Sequence, residues 1–486
     1  MSMNGHDGTV DCASDLICDK RRTHGRWRGF AFCPMALVAI GIGSWVGSHA
    51  TADRELQAEI TKIRKHGEPV HFWELKPSPR PPEQDALPHV ETAIQKMAPL
   101  SAEFEHAITL PLTREKFTVL QRDLEANREA LDAISRAVAK PPLRFDYDYD
   151  DDMVWEIDSG IATRMEYFSE LLHAKVLTSL YVRDRDIAIQ YVEKGLALSE
   201  FLREDTFWLH HVLRYQHGAR ALMSLAIVLA EHNLTKAEFK RIDAALRTAI
   251  HSINPRKMIA NGRAITLTQM EHLSMGRLYS LGVVYESSNM YVVPTTISDW
   301  FASTRDCYEG SHILSPFCRH MLLQSQVTSL RAFGELVKII DIPGPRGNEL
   351  IEEWTLRHES ACAKLGVTKE FILWFIPRGT IIRDAILWYR QQLVLARIGL
   401  RVDRYHADNG VLPATLYEVT DVDLRSIPKC LFSGKQLIYE VDAAGTGFCI
   451  RTLGANSIDD YGDDAKDPTE GSFRVNTRQL PRPRMR

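Results

Sequence analysis

Cysteine is scarce and unpatterned in this chain, with eight in 486 residues and no C-x-x-C spacing anywhere. That excludes a zinc ribbon or a thioredoxin-type redox motif and supplies no disulfide framework. Cys12, Cys18 and Cys33 lie ahead of or inside an N-terminal apolar run, which leaves Cys307 with Cys318 and Cys430 with Cys449 as the candidate pairs. An excess of charge is missing as well: 59 Lys and Arg face 63 Asp and Glu, a net charge of −4. No basic field is present to hold nucleic acid. The chain has no G-x-S-x-G elbow, no G-x-x-x-x-G-K-[ST] loop and no G-x-G-x-x-G turn. Ser433-Gly434-Lys435 has Lys429 where a phosphate loop needs its first glycine, and His358-Glu359 begins like a zincin helix but meets Cys362 where the second His belongs. No reaction is specified by any of these.

What is present first is a run of twenty mostly apolar residues, Gly29 to Ser48, entered from Lys20, Arg21, Arg22, Arg26 and Arg28. At about 1.5 Å rise per residue a helix of this length crosses a hydrocarbon core of roughly 30 Å. Its basic flank predicts a cytoplasmic N-terminus and an extracytoplasmic body. Ser48-His49-Ala50 also carries the small-x-small pattern of a cleavage site. The run exceeds the about 7 to 15 residues of a signal peptide's apolar region, which favours a retained anchor.

Beyond it, Leu56, Ile60 and Ile63 at i, i+4, i+7 predict a short helix over 52–65 that ends at Gly67. Pro69, Pro77, Pro79, Pro81, Pro82 and Pro88 then read as an extended spacer. From about Asp85 to Tyr405 the periodicity is helical. Phe117, Leu120, Leu124, Leu131, Ile134 and Val138 line one face of a helix of more than five turns. Ile161 to Ile253 reads as four consecutive antiparallel helices with short joins, and Thr235 with Glu238 is a capping box before the last of them, which Pro255 closes. Glu286 to Ser315 breaks the rhythm and reads as a long loop or cover. A final long helix begins near Thr380.

The composition then changes. Tyr405-His406-Ala407-Asp408-Asn409-Gly410-Val411-Leu412-Pro413, Ile427-Pro428, Phe432-Ser433-Gly434-Lys435, Leu437-Ile438-Tyr439 and Thr452-Leu453-Gly454 follow in order. Together they resemble the C-terminal segment of type II secretion major pseudopilins, with Lys429-Cys430-Leu431 replacing that family's leading Asp-Pro. Alternating Leu437, Tyr439, Phe448 and Ile450, with Phe473 to Val475, predict a small antiparallel sheet. The basic-flanked anchor, Gly67-Glu68-Pro69-Val70, Pro81-Pro82, the helical body and this tail, taken together, resemble a group of bacterial membrane-anchored envelope proteins from which no activity carries over.

Candidate metal ligands are few. The pseudopilin resemblance implies a structural calcium in the acidic loop holding Asp459, Asp460, Asp463 and Asp464, since carboxylates and carbonyls on a flexible loop suit a hard cation. The denser run Asp146 to Asp152 fails as an EF-hand, having Asp151 where Gly is needed and Ile157 where Glu is needed, and reads as an anionic flank to the helix after it. His210, His211 and His217 share a helix but lack the i, i+4 spacing a transition metal prefers, and read as packed or surface residues.

The expected architecture is mainly α. It divides into a basic segment over 1–28, a transmembrane helix over 29–48, a short helix and proline-rich linker over 49–84, an α-helical bundle or array over 85–379, and a pseudopilin-like α+β module over 380–486. The expected role is a scaffold or protein-interaction module outside the inner membrane, with the membrane and an envelope protein as partners and no nucleic acid. An envelope-polymer hydrolase with a cleft in the helical body, or a component of a secretion or pilus-like machine, is the alternative.

Overall fold

The computed structural model describes residues 26–145, 147, 149, 159–231, 234–274, 315–365, 379–420, 426–443, 445–454 and 472–475. It divides into two compact units, 1–55 and 56–486. Helix α1 is Arg26–Lys65, one element where the sequence predicts two. Ser48 to Ala52 holds neither proline nor glycine, so nothing interrupts the hydrogen-bond ladder there. Among the described residues no helix is long and apolar enough to cross a membrane, so the transmembrane helix expected at 29–48 is not supported. Gly41, Gly43, Ser44, Gly47 and Ser48 dilute the apolar run, and the side chains before residue 39 lie outside the described residues.

In the larger unit the end of α1 buries Leu56, Ile60 and Ile63, the face the sequence marked. Gly67, at φ +70°, stops the helix in a left-handed turn. The proline-rich segment that follows lies along the body, where a free spacer was expected. Val70 and Phe72 are fully buried, Phe72 donates its backbone N–H to Thr268 Oγ1 (2.9 Å), and Arg80 reaches the Pro142 carbonyl (2.6 Å). The Phe72 ring stacks on Tyr149 at 4.7 Å and packs with Phe207 and Ile265.

Short helices α2 (Leu87–Gln95) and α3 (Phe104–Ala107) lead to α4 (Arg114–Ala126) and α5 (Arg128–Val138). The single long helix expected here is broken at Asn127. Its buried amide accepts from the Ala98 N–H (2.9 Å) and donates to the Asp123 carbonyl (2.9 Å), tying the break to a separate loop. Four helices then follow with short joins: α6 (Ser159–Tyr181), α7 (Arg185–Glu200), α8 (Trp208–Glu231) and α9 (Lys236–Ser252). The Thr235/Glu238 capping box opens α9. Pro255 both ends α9 and starts α10 (Pro255–Ser274), with Asn254 Oδ1 accepting from the Lys257 N–H at 3.0 Å as the cap.

Helices α11 (Ser315–Ile339) and α12 (Gly344–Ala363) follow, and α10 packs along α11. The expected loop over Glu286–Ser315 lies outside the described residues as far as 314. Helix α13 (Gly379–Asn409) is buried along most of its length against α8, α9 and α12. Gly410, at φ +75°, ends it.

Three antiparallel strands, β1 (Ile438–Val441), β2 (Phe448–Arg451) and β3 (Ser472–Val475), form a sheet in the order β1-β2-β3. Ile450 stands opposite Tyr439 and Phe473, and the ring of Phe473 sits against Gly399 of α13. Cys449 stands between Glu440 and Arg474, the alternate set of side chains on these strands. The candidate Cys430–Cys449 disulfide is absent. Both thiols are free, and Cys430 Sγ lies 3.1 Å from the Leu453 carbonyl. The Cys307–Cys318 pairing lies outside the described residues. The chain is thus mainly helical with one small antiparallel sheet near its C-terminus, and among the described residues a large apolar core runs from Ala86 to Val475.

Candidate functional site

The densest polar structure in the body is the elbow between α7 and α8. Helix α7 ends at Glu200 and the chain turns through 201–207, a segment holding Arg203, Glu204 and Asp205. Asp205 is fully buried and starts α8 by accepting the Phe207 N–H (2.8 Å). Its carboxylate also accepts the Tyr147 hydroxyl (3.0 Å) and faces His210 Nδ1 (3.0 Å). His211 Nε2 donates to the Asp205 carbonyl (3.1 Å). Burial, with the positive charge of Arg214, pulls His211 down to about 4, so its ring is neutral.

One turn further along α8, Arg214 is also buried. Its Nε donates to the Ser199 carbonyl (3.1 Å) and its Nη2 to Glu200 (2.7 Å) and to the Ser252 hydroxyl of α9. Tyr389 of α13 donates to Ser199 Oγ (3.3 Å). Burial pushes Tyr215 up to about 12 and raises Tyr389 as well, so both phenols are neutral. These groups are tied to one another inside the protein, and their chemistry is to lock four helices together, α7, α8, α9 and α13.

The outer side of the same elbow is different. There α9 and the start of α10 meet residues 203 and 204 around an open depression of about 770 Å³. Its lining is cationic, with Arg203, Arg247 and Lys257, and Thr248, His251, Ser252 and Asn254 add polar groups. The single carboxylate in the lining is Glu204, and two cations already share it, Arg80 at 3.3 Å and Arg144 at 3.1 Å. Arg247 pairs with Asp243 at 3.2 Å, while Asp243 also holds Arg397 at 2.8 Å. His251 Nδ1 donates to the Arg247 carbonyl (2.7 Å), which leaves Nε2 available.

Of the packed and surface readings of the α8 histidines, the structure has the packed one: His210, His211 and His217 are all buried. Neither ring nitrogen of His217 has a partner, and burial pulls its pKa down to about 3. His173, bonded to Ser224 Oγ at 2.7 Å, is likewise pulled down to about 4 by burial. On α12, Cys362 Sγ lies 3.5 Å from His358 Nε2 in a buried pair stacked under Trp354. Among the described residues, no group of three or more His, Cys, Asp or Glu side chains gathers to hold a metal ion. Asp459, Asp460, Asp463 and Asp464 lie outside the described residues, as do Asp146, Asp148 and Asp150 to Asp152.

Neither Arg203 nor Lys257 is marked by any sequence motif. They stand far apart in the chain and meet only because α9 folds back beside the elbow. The local signal for the elbow is the charge-rich stretch Arg203-Glu204-Asp205 between two apolar helices. The chain matches no family model, no curated protein and no solved structure.

Proposed function

We propose that this chain is an extracytoplasmic binding or scaffold module of the bacterial envelope, held at the inner membrane through its N-terminal apolar run. The observation that carries the binding role is the open, cation-lined depression at the α7–α8 elbow. A surface that concentrates positive charge on an acidic protein recruits anionic groups from solution. The basic segment before Gly29 and the pseudopilin-like order of motifs after Tyr405 support the address.

The hydrolase alternative needs two carboxyl groups facing one cleft, about 5 to 9.5 Å apart. The carboxylate lining the depression, Glu204, is shared by two guanidinium groups that neutralise it. That favours binding over bond cleavage at this surface.

The test is in-cell crosslinking of the tagged full-length chain, followed by carbonate extraction and mass spectrometry of the purified material. The expected result is retention in the membrane pellet with a near-stoichiometric envelope partner. Recovery in the soluble fraction, alone, overturns both the address and the scaffold role.

A further inference from the structure

We infer that the depression at the α7–α8 elbow is a site for a phosphorylated saccharide, an inference that rests on reading this surface as a binding site. Charge is the first argument. Among the described residues Arg203 and Lys257 form no ion pair. Nearby acids do not offset them. Glu204 is divided between Arg80 and Arg144, and Asp243, the partner of Arg247, also holds Arg397 at 2.8 Å with Arg401 at 3.9 Å. Behind the wall, Ser252 fixes the buried Arg214. An excess of positive charge is therefore concentrated at one place on a chain whose net charge is −4. A guanidinium and an ammonium lining one depression suit a phosphate, which accepts a forked pair of N–H bonds from the first and a point charge from the second.

Size and neutral chemistry give the rest of the ligand. A volume of about 770 Å³ falls within the range of roughly 300–1,000 Å³ occupied by small-molecule sites, well beyond what one phosphate fills. Beyond the cations and their aliphatic stems, the lining offers hydroxyl and amide groups. Thr248 presents an exposed hydroxyl, and Asn254, whose Oδ1 caps α10, has its amide nitrogen left to donate. Ala244 is the one wholly apolar side chain in the lining, and a hydroxyl-rich body fits the hydroxyl and amide groups around it.

The experiment titrates the full-length, detergent-solubilised chain calorimetrically with glucose 6-phosphate, glycerophosphoinositol, inorganic phosphate and glucose. Saturable binding of either phosphorylated polyol, with glucose silent and inorganic phosphate weaker, is expected. A preference for glucose 6-phosphate identifies a soluble monoester, and one for glycerophosphoinositol identifies a lipid-borne diester. The double variant Arg203→Gln/Lys257→Gln weakens binding by about tenfold or more, while Arg128→Gln on α5 leaves it unchanged. Both altered side chains are at the surface, and an unchanged circular dichroism spectrum establishes that the variant is folded. Lys257→Arg alone preserves binding, which gives a readout independent of the double variant. Absence of binding, equal binding of inorganic phosphate, or full affinity in a folded double variant overturns the inference. A crosslinked envelope partner persisting beside a failed titration leaves the scaffold reading standing and removes only the ligand class.

Discussion

His71 Nε2 lies 3.3 Å from the Glu271 carboxylate, two hundred positions further along the chain, while its Nδ1 lies 3.3 Å from Glu74. Burial pulls the imidazole pKa down, but the hydrogen bonds and charges of Glu271 and Glu74 outweigh burial and hold it above the ordinary histidine value. A group raised in the folded state stabilises fully below its unfolded pKa of about 6.5 and loses that contribution as pH rises through the folded value. Urea unfolding of wild type and His71→Gln is therefore expected to show a stability difference that is largest near about pH 6 and shrinks by about pH 9. A difference independent of pH counts against the ion pair.

His217 titrates in the opposite sense. Its folded pKa is depressed to about 3, with His173 and His211 each at about 4, so their neutral forms contribute stability above about pH 6.5. That contribution is lost as pH falls through the folded values. Because neither His217 nitrogen has a partner, His217→Leu removes a desolvation cost of about 1–3 kcal/mol against a small loss of packing. The expected outcome is unchanged or increased stability at neutral pH and an acid-unfolding midpoint moved to lower pH, read by circular dichroism.

Arg214 is the reverse case, a buried charge held by Ser199, Glu200 and Ser252. Arg214→Ala leaves Glu200 without its guanidinium and is expected to cost about 3–5 kcal/mol in denaturant unfolding. Arg214→Met, which restores volume without charge, costs the same or less. A loss under about 1 kcal/mol for the alanine variant would show that Glu200 finds water instead.

Gly399 tests how the sheet is held. A Cβ at this position falls on the ring of Phe473, with no room between α13 and β3. Gly399→Ala is expected to destabilise by about 1–3 kcal/mol. Phe473→Leu in the same chain recovers part of that loss, and the double-mutant cycle gives a favourable coupling. Additive losses would mean that the two residues do not meet.

The parts of the fold legible from sequence are those written in local chemistry. The capping box at Thr235 and Glu238, the apolar stripe of α1 from Leu56 to Ile63, and the glycine turns at 410 and 434 each need only neighbours in sequence to operate. Asn127 was illegible because an asparagine fits a helical spacing, and its role comes from Ala98, which the periodicity does not reveal. The prolines after Gly67 describe a stiff backbone correctly and say nothing of where Val70 and Phe72 go. Cys430 and Cys449 are close in number, yet the alternation of β2 sets Cys449 with Glu440 and Arg474. The depression was the least legible of all, since its two unneutralised cations stand more than fifty positions apart in the chain and carry no motif.

The seating of Phe72 sets an order of assembly during synthesis. The pocket that receives it is built from Tyr149, Phe207 and Ile265, so the N-terminal strap has no place to dock until most of α10 has left the ribosome. Until then an aromatic residue near the N-terminus stays exposed beside an apolar run. For the time taken to add nearly two hundred residues, the Phe72 ring lacks the side chains that later enclose it.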